Sequence, residues 1–171
     1  MAYHEKMITK VKDIVEYYEN NLSELDLNID LCDLEIRCWR CGEIRRLQRC
    51  HIIPASAGGS DTPDNYMLLC NACHEEAPNI APKERMFEWL HNTKSNLYNS
   101  FWSKKIEHEY FKTYNKSMYS EILTRCKIND NKFKEILIQN IDTCKTHIGH
   151  GRLNVATWVA FWHNVFQMFD E

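Results

Sequence analysis

The residues of this chain that could carry chemistry concentrate between positions 38 and 79. Two Cys-x2-Cys pairs lie there, Cys38/Cys41 and Cys70/Cys73. Cysteine pairs with this spacing are typical of zinc sites, because each tight turn presents two thiolates to one tetrahedral ion. The sequence therefore predicts a closed, structural zinc site held by these four thiolates.

Three further polar residues lie between the pairs or directly after them: His51, Asn65 and His74. Metal-assisted hydrolysis needs a base that takes a proton from water and a cation that stabilises the charged transition state and the leaving oxygen. A neutral histidine suits the first task near neutral pH. Taken singly, each histidine could equally be a polar residue beside a structural zinc.

The order of these residues carries more information than any one of them. It comprises the His-Ile-x-Pro start at His51, the turn Gly58-Gly59, the Asp-Asn-x-x-Leu-Leu-Cys segment and the Cys-x2-Cys-His end. From Cys38 to about Asn79 the chain resembles the HNH nuclease motif, the ββα-metal finger, in its four-cysteine, zinc-bound form. The resemblance implies two antiparallel strands near residues 44–50 and 66–69 and a helix from about residue 71.

The resemblance also implies roles for the three polar residues. His51 would be the general base, and His74 would be a ligand of a catalytic divalent metal. Asn65 would hold the loop by hydrogen bonds and keep His51 oriented; the simpler interpretation of Asn65 is a turn residue before a strand.

The chain departs from the motif at two positions that often supply metal ligands. Cys50 stands where many family members carry Asp, and Pro78 stands four residues after His74. A soft thiolate is a poor ligand for Mg²⁺. Three interpretations stay open: the metal is held by His74, Cys50 and the DNA phosphate; it is held partly by Asn79, Glu75 or Glu76; or it is a softer ion than Mg²⁺, such as Mn²⁺, Co²⁺, Ni²⁺ or Zn²⁺.

A local excess of positive charge accompanies the motif. Five arginines crowd one short stretch against the single acid Glu43: Arg37, Arg40, Arg45, Arg46 and Arg49. Such a strip can bind phosphate even in a mildly acidic chain, although it could also be a solvated face. The residues expected to contact DNA are Arg45, Arg46 and Arg49. Strand alternation would put Arg45 and Arg49 on the face of His51.

The rest of the chain shows helical patterns, so the predicted fold class is α+β, a ββα-metal zinc finger embedded in a mainly helical chain. The predicted regions are an N-terminal helix and linker (1–34), the finger (35–80) and a C-terminal helical region (81–171). The helices are expected at residues 3–20, 83–93, 95–113, 117–126, 131–141 and 154–169, with Asp130 as the cap of the fifth.

Two C-terminal features suggest further roles. The last helix is apolar almost all round, which is typical of a core or a subunit interface. We expect a homodimer in which aromatic residues from positions 153–169 take part, since a symmetric dimer matches the two-fold axis of duplex DNA. Cys144, His147 and His150 could bind a metal or simply form a helix end, and His147, His150 and Arg152 could instead contact phosphate.

Composition excludes some classes of protein. The chain has 171 residues and a formal net charge of −3, whereas passive nucleic-acid-binding domains are usually basic. It has neither an apolar run long enough for a membrane span nor a signal-peptide pattern, so we expect a cytoplasmic protein without a membrane partner. Its eight cysteines would stay reduced there.

These observations favour a metal-dependent DNA endonuclease with a structural Zn²⁺ and a catalytic divalent metal, Mg²⁺, Mn²⁺ or another transition metal. A small chain of this type most resembles restriction or defence nucleases. The alternative is a non-catalytic zinc module that binds nucleic acid or protein. That alternative explains the cysteines and arginines but not the spacing of His51, Asn65 and His74.

Overall fold

The computed structural model describes residues 9–21, 27, 29–95, 97, 100–146 and 153–171. The chain forms two compact units, Met1–Phe101 (unit 1) and Trp102–Glu171 (unit 2). The mixed fold class predicted from the sequence is confirmed, because a small antiparallel sheet occurs among helices. The division at residues 34 and 80 remains a prediction. No helix within the described ranges is long and apolar enough to cross a membrane.

In its described residues, unit 1 contains the sheet and three helices. Its elements are α1 (Val11–Asn20), β1 (Leu47–His51), β2 (Tyr66–Cys70), α2 (Asn71–Glu76) and α3 (Glu84–Thr93). Short 3-10 turns at Leu31–Asp33, Ala55–Ala57 and Pro63–Asn65 connect them. The two predicted strands and the predicted helix after them are confirmed, with β1 beginning a little later than expected.

The sheet has a register that positions the motif residues. β1 and β2 pair antiparallel, with His51 opposite Tyr66, Arg49 opposite Leu68 and Leu47 opposite Cys70. Because side chains alternate along a strand, Arg49 and His51 share one face of β1 while Gln48 and Cys50 share the other. Every residue of β2 is buried, so this strand forms the centre of unit 1.

The N-terminal helix packs onto the finger. Tyr18 is fully buried, its ring contacts that of Trp39 edge-on at a centroid distance of 5.1 Å, and its hydroxyl donates to the Asp64 carbonyl (3.1 Å). Trp39 in turn donates to the Leu34 carbonyl through Nε1 (2.9 Å). The helix begins at Val11, and the predicted residues 3–8 lie outside the described residues.

Unit 2 is helical. Its described helices are α4 (Phe101–Tyr114), of which all but the first residue belong to this unit, α5 (Met118–Ile141) and α6 (Val155–Asp170). α5 is interrupted at Asn129, whose backbone is extended (φ −157°, ψ 92°), close to the predicted boundary between two helices. The predicted cap was wrong: Asn129 Oδ1, not Asp130, accepts from the Lys132 amide (3.0 Å). Asp130 instead pairs with Lys134 one turn later.

The apolar residues of α6 form much of the core of unit 2. Phe161, Val165, Phe166 and Phe169 are buried, and they pack with residues of α4 and α5: Tyr110, Met118, Phe133 and Ile136. Trp158 and Trp162 are only half-buried against this core. Burial within the chain therefore accounts for most of the all-round apolarity of this helix.

Candidate active site

The four cysteines predicted to bind zinc converge. The Sγ atoms of Cys38, Cys41, Cys70 and Cys73 all lie within 4.8 Å of one another, and all four side chains are buried. The turn formed by the first pair (the first knuckle, residues 38–41) is closed by a hydrogen bond from the Gly42 amide to the Cys38 carbonyl (2.8 Å). Gly42 has a positive φ of 71°. This donor set fits a tetrahedral structural zinc site.

The clustering also affects the acidity of the thiols. Hydrogen bonds from Cys38, and then from Cys41 and Cys73, lower the pKa of Cys70 below its ordinary value. The Cys70 amide also donates to Cys38 Sγ (3.2 Å). At Cys70 these bonds favour the thiolate, which is the form that binds a metal, whereas hydrogen bonds among the same cysteines raise the pKa of Cys41 and Cys73.

Arg40 connects the first knuckle to neighbouring helices. Its side chain is buried, its Nε donates to Thr93 Oγ1 (2.9 Å), and its Nη1 donates to Glu76 Oε2 (2.8 Å). The guanidinium also stacks on the Trp89 and Phe101 rings, 4.5 and 4.9 Å from their centroids. Arg40 is therefore part of the support of the finger rather than of its basic surface.

The loop between the strands (the β1–β2 loop, residues 52–65) is closed by Asn65. This side chain is buried, accepts from the Ile53 amide (2.8 Å), and donates to the carbonyls of Ile53 (3.1 Å) and Ser60 (2.8 Å). Its own carbonyl accepts from the Ile52 amide (2.8 Å), directly after His51. These are the contacts expected of a residue that holds the loop.

His51 ends β1 with its ring against that of Tyr66, at a centroid distance of 4.3 Å. The Tyr66 hydroxyl donates to Asp61 Oδ1 (2.9 Å), and burial raises the pKa of Tyr66 to about 12. Burial lowers the pKa of His51 below its ordinary value, although the Asp61 carboxylate opposes the effect. The shift favours the neutral imidazole, which is the form that accepts a proton.

His74 follows the last cysteine on α2. Its Nδ1 atom lies 2.8 Å from the Oε1 atom of Gln48, which is a residue of β1. Cys50 is buried on the same strand, its Sγ lies 3.7 Å from its neighbour's carbonyl oxygen, and burial raises its pKa to about 12. Cys50 is thus a neutral thiol around neutral pH, which makes it a weak ligand for a hard cation.

A cavity of about 460 Å³ brings these residues together. The lining residues that matter to the chemistry are Cys50, His51, His74, Glu75, Pro78 and Asn79. The end of β1 and the end of α2 thus contribute to one concave site. A site of this shape, with converging polar groups, is where a ligand is expected to bind.

Comparison with known families agrees with this geometry. Residues 32–79 match the family model described as HNH endonuclease. These residues form an HNH domain. No curated protein and no solved structure matches the chain. The HNH domain indicates a nuclease-type or metal-binding nucleic-acid function, and its cysteine cluster indicates a structural zinc site.

Most arginines around the HNH domain have partners within the protein. Arg37 pairs with Asp33 (2.7 Å), Arg45 pairs with Glu43 (2.7 Å), and Arg49 donates to the carbonyl of Thr9. Arg46 is exposed, and no side-chain partner is found for it in the part of the chain that the structure describes. Of the three arginines expected to contact DNA, Arg46 is therefore the most available.

Several supporting residues of the HNH domain were not found by sequence reasoning. Gln48, Asp61 and Tyr66 contact His74 or surround His51, yet no spacing in the chain identifies them. Only the alternation of β1 places Gln48 on the face of Cys50. Of the second candidate metal cluster, Cys144 is half-buried against the core of unit 2, while His147 and His150 lie outside the described residues.

Proposed function

We propose that this protein is a metal-dependent endonuclease that hydrolyses phosphodiester bonds of DNA. The observation that carries the proposal is the shared cavity, which is lined by both His51 and His74, two residues within the stretch that matches the HNH family model. His51 takes the proton of the attacking water, for which its neutral form is suited. Asn65 keeps the loop closed behind it.

The residues available for a divalent cation suit one with few protein ligands. His74 can offer Nε2, because its Nδ1 is bonded to Gln48. Asn79 and Glu75 line the same cavity, whereas the high pKa of Cys50 makes it the weakest candidate. A bound Mg²⁺, Mn²⁺ or softer ion would supply Lewis-acid stabilisation of the transition state and the leaving oxygen. The DNA phosphate would complete the ligand set.

DNA would be bound by arginines near β1. Arg46 is free to contact phosphate, and Arg49 lies on the same face of β1 as His51. Arg45 would contribute less than these two, because its ion pair with Glu43 lowers the local positive charge. Contacts of this kind give affinity at any sequence and make it depend on salt.

A homodimer and a restriction or defence role complete the proposal. Two copies related by a two-fold axis could cut both strands of a duplex. Because the phenylalanines of α6 are buried, the aromatic residues left for such a contact are the half-buried Trp158 and Trp162. Light scattering tests the dimer: a monomeric mass at micromolar concentration, both free and on DNA, would rule the dimer out.

The deciding experiment is plasmid cleavage with a panel of divalent ions. We expect nicking or linearisation that EDTA stops, and a loss of about 10²–10⁴ in rate for His51→Ala. His108→Ala, an exposed histidine of α4, is the matched control and should cleave normally. If the wild-type protein cuts neither duplex nor single-stranded DNA with any ion, the alternative of a non-catalytic zinc module is correct.

A further inference from the structure

A chain of side-chain hydrogen bonds leads from the surface of α2 to His74. Asn71 Nδ2 donates to Glu75 Oε1 (2.6 Å), Gln48 Nε2 donates to Asn71 Oδ1 (3.1 Å), and Gln48 Oε1 lies 2.8 Å from His74 Nδ1. All four residues lie in unit 1, and three of them lie on α2.

The carboxylate at one end gives this chain a direction. An ionised Glu75 can only accept hydrogen bonds, so Asn71 must turn its amide nitrogen toward it. The Asn71 oxygen then faces Gln48 and requires the Gln48 amide nitrogen as its donor. The Gln48 oxygen is thereby left facing His74, where it can only accept.

The direction of the chain decides which imidazole nitrogen carries hydrogen. An accepting oxygen at 2.8 Å favours a proton on His74 Nδ1. A neutral imidazole has one proton, so Nε2 then carries the lone pair. Gln48 is absent from the residues that line the cavity, whereas His74 is among them. Gln48 therefore acts on the site through His74.

We propose that Gln48 is a positioning residue that holds His74 as the Nδ1–H tautomer and thereby presents Nε2 to a divalent cation, with Asn71 and Glu75 orienting the Gln48 amide. The proposal rests on the role of His74 as a metal ligand in the proposed function. An oxygen behind a ligating histidine raises the basicity of the ligand and holds the ring orientation. Here a neutral amide, oriented by a carboxylate two side chains away, does this.

Three substitutions of Gln48 separate the acceptor from the bulk of the side chain. Gln48→Glu keeps an oxygen that accepts from Nδ1, and Gln48→Met keeps the length but removes it. Gln48→Lys puts a donor against Nδ1, which should drive the proton to Nε2. Gln167→Met, at an exposed glutamine of α6, is the matched control.

The first measurement is the tautomer of His74, read from long-range ¹H–¹⁵N spectra of the imidazoles. The sample is prepared with one zinc per chain and no other divalent cation, and it is measured at about pH 8, which is above the ordinary imidazole pKa. We expect Nδ1–H in the wild type, Gln48→Glu and the control, a mixture in Gln48→Met, and Nε2–H in Gln48→Lys. A His74 that remains Nδ1–H in folded Gln48→Met overturns the proposal.

Asn71→Ala provides a second variant, at an exposed position. It frees the Gln48 amide to rotate, so part of the Nε2–H form should appear; an unchanged tautomer would exclude the role of Asn71 and Glu75.

Titration with Mn²⁺ alone is the second measurement. Its affinity should fall about 10-fold or more in Gln48→Met and recover in Gln48→Glu. If the tautomers behave as expected but the wild type binds no Mn²⁺, the proposed metal role of His74 fails while the assignment of its tautomer stands.

Discussion

Arg40 Nη1 lies 2.8 Å from Glu76 Oε2, and this ion pair connects the first knuckle to the helix that carries His74. The arginine is almost fully buried, while about a third of the glutamate side chain remains exposed. Trp89 and Phe101 cover the guanidinium, and Thr93 accepts from its Nε. The first knuckle and α2 are thus both held by the buried Arg40 guanidinium.

We therefore expect Arg40→Ala to destabilise unit 1 by about 2–3 kcal/mol, because the change leaves a carboxylate and a hydroxyl without their donor. Arg40→Lys should not restore the loss, since an ammonium cannot form the fork and the ring stacking together. Urea unfolding at fixed zinc measures both. Arg46→Ala is the control and should change stability by less than about 0.5 kcal/mol. Equal midpoints for Arg40→Ala and Arg46→Ala would contradict the structural role of Arg40.

The four-cysteine cluster predicts one tightly bound zinc per chain. Replacing Cys70 by serine removes a buried ligand, so zinc content and the fold of the HNH domain should be lost together, because structural zinc contributes folding free energy directly. Elemental analysis and circular dichroism follow the two. Cys32→Ser, at an exposed cysteine outside the cluster, should keep the full zinc content. A folded Cys70→Ser protein with undiminished zinc would exclude this ligand set.

The buried amide of Asn65 predicts a loss of both stability and cleavage on truncation. Asn65→Ala removes three hydrogen bonds to the β1–β2 loop, and we expect a cost of about 2–4 kcal/mol. Cleavage should fall further than stability alone explains, since the loop follows directly after His51. Ser60→Ala keeps the carbonyl that Asn65 contacts and should behave as wild type in both assays. A stable Asn65→Ala protein with normal cleavage would reduce Asn65 to a turn residue.

Sequence reasoning located the finger well because its cysteines and its loop residues are local constraints. The Cys-x2-Cys pairs and the loop residues between them carry the resemblance to the HNH motif, and that resemblance implied the two strands; β1 and β2 lie close to the implied positions. The boundary near Asn129 was also predictable from polar residues, but not which of two neighbouring side chains caps the helix.

The roles of the arginines could not be predicted in the same way. Arg40 and Arg46 look alike in the sequence, yet one is buried against Glu76 and the other is exposed. Their difference depends on partners 36 or more positions away, which no local pattern records. The same holds for Gln48 and His74, which meet only because β1 lies beside α2.

Arg49 and Arg46 predict different effects on DNA. Arg46→Ala would remove the phosphate contact that we propose for Arg46, so binding should weaken at every sequence and the salt slope should fall by about one unit. Arg49→Ala should harm cleavage more, because Arg49 shares the face of His51 and also holds Thr9. Binding isotherms at several salt concentrations, single-turnover cleavage and thermal midpoints separate the two effects. Negligible changes in both variants would show that neither arginine contributes to DNA binding or cleavage.

Gly58 and Gly59 are adjacent in the β1–β2 loop, yet we expect them to differ in how well they tolerate substitution by alanine. A Cβ on Gly59 would lie 1.8 Å from the Ile53 carbonyl oxygen and 2.8 Å from Asn65 Nδ2. Backbone occupies that space, so the loop must open or the Asn65 bonds must break. A Cβ on Gly58 meets nothing within 4 Å, and only its positive φ of 86° opposes a side chain.

Gly58→Ala should therefore cost about 1–2 kcal/mol and leave cleavage nearly intact. Gly59→Ala should lower the thermal midpoint further and reduce cleavage by at least 10-fold, because the loop that follows His51 would be displaced. Thermal unfolding and cleavage of the two alanine variants, measured side by side with equal zinc content, give the comparison. If Gly58→Ala proves the more damaging of the pair, the close approach of Gly59 to Ile53 and Asn65 does not hold the loop in the active protein.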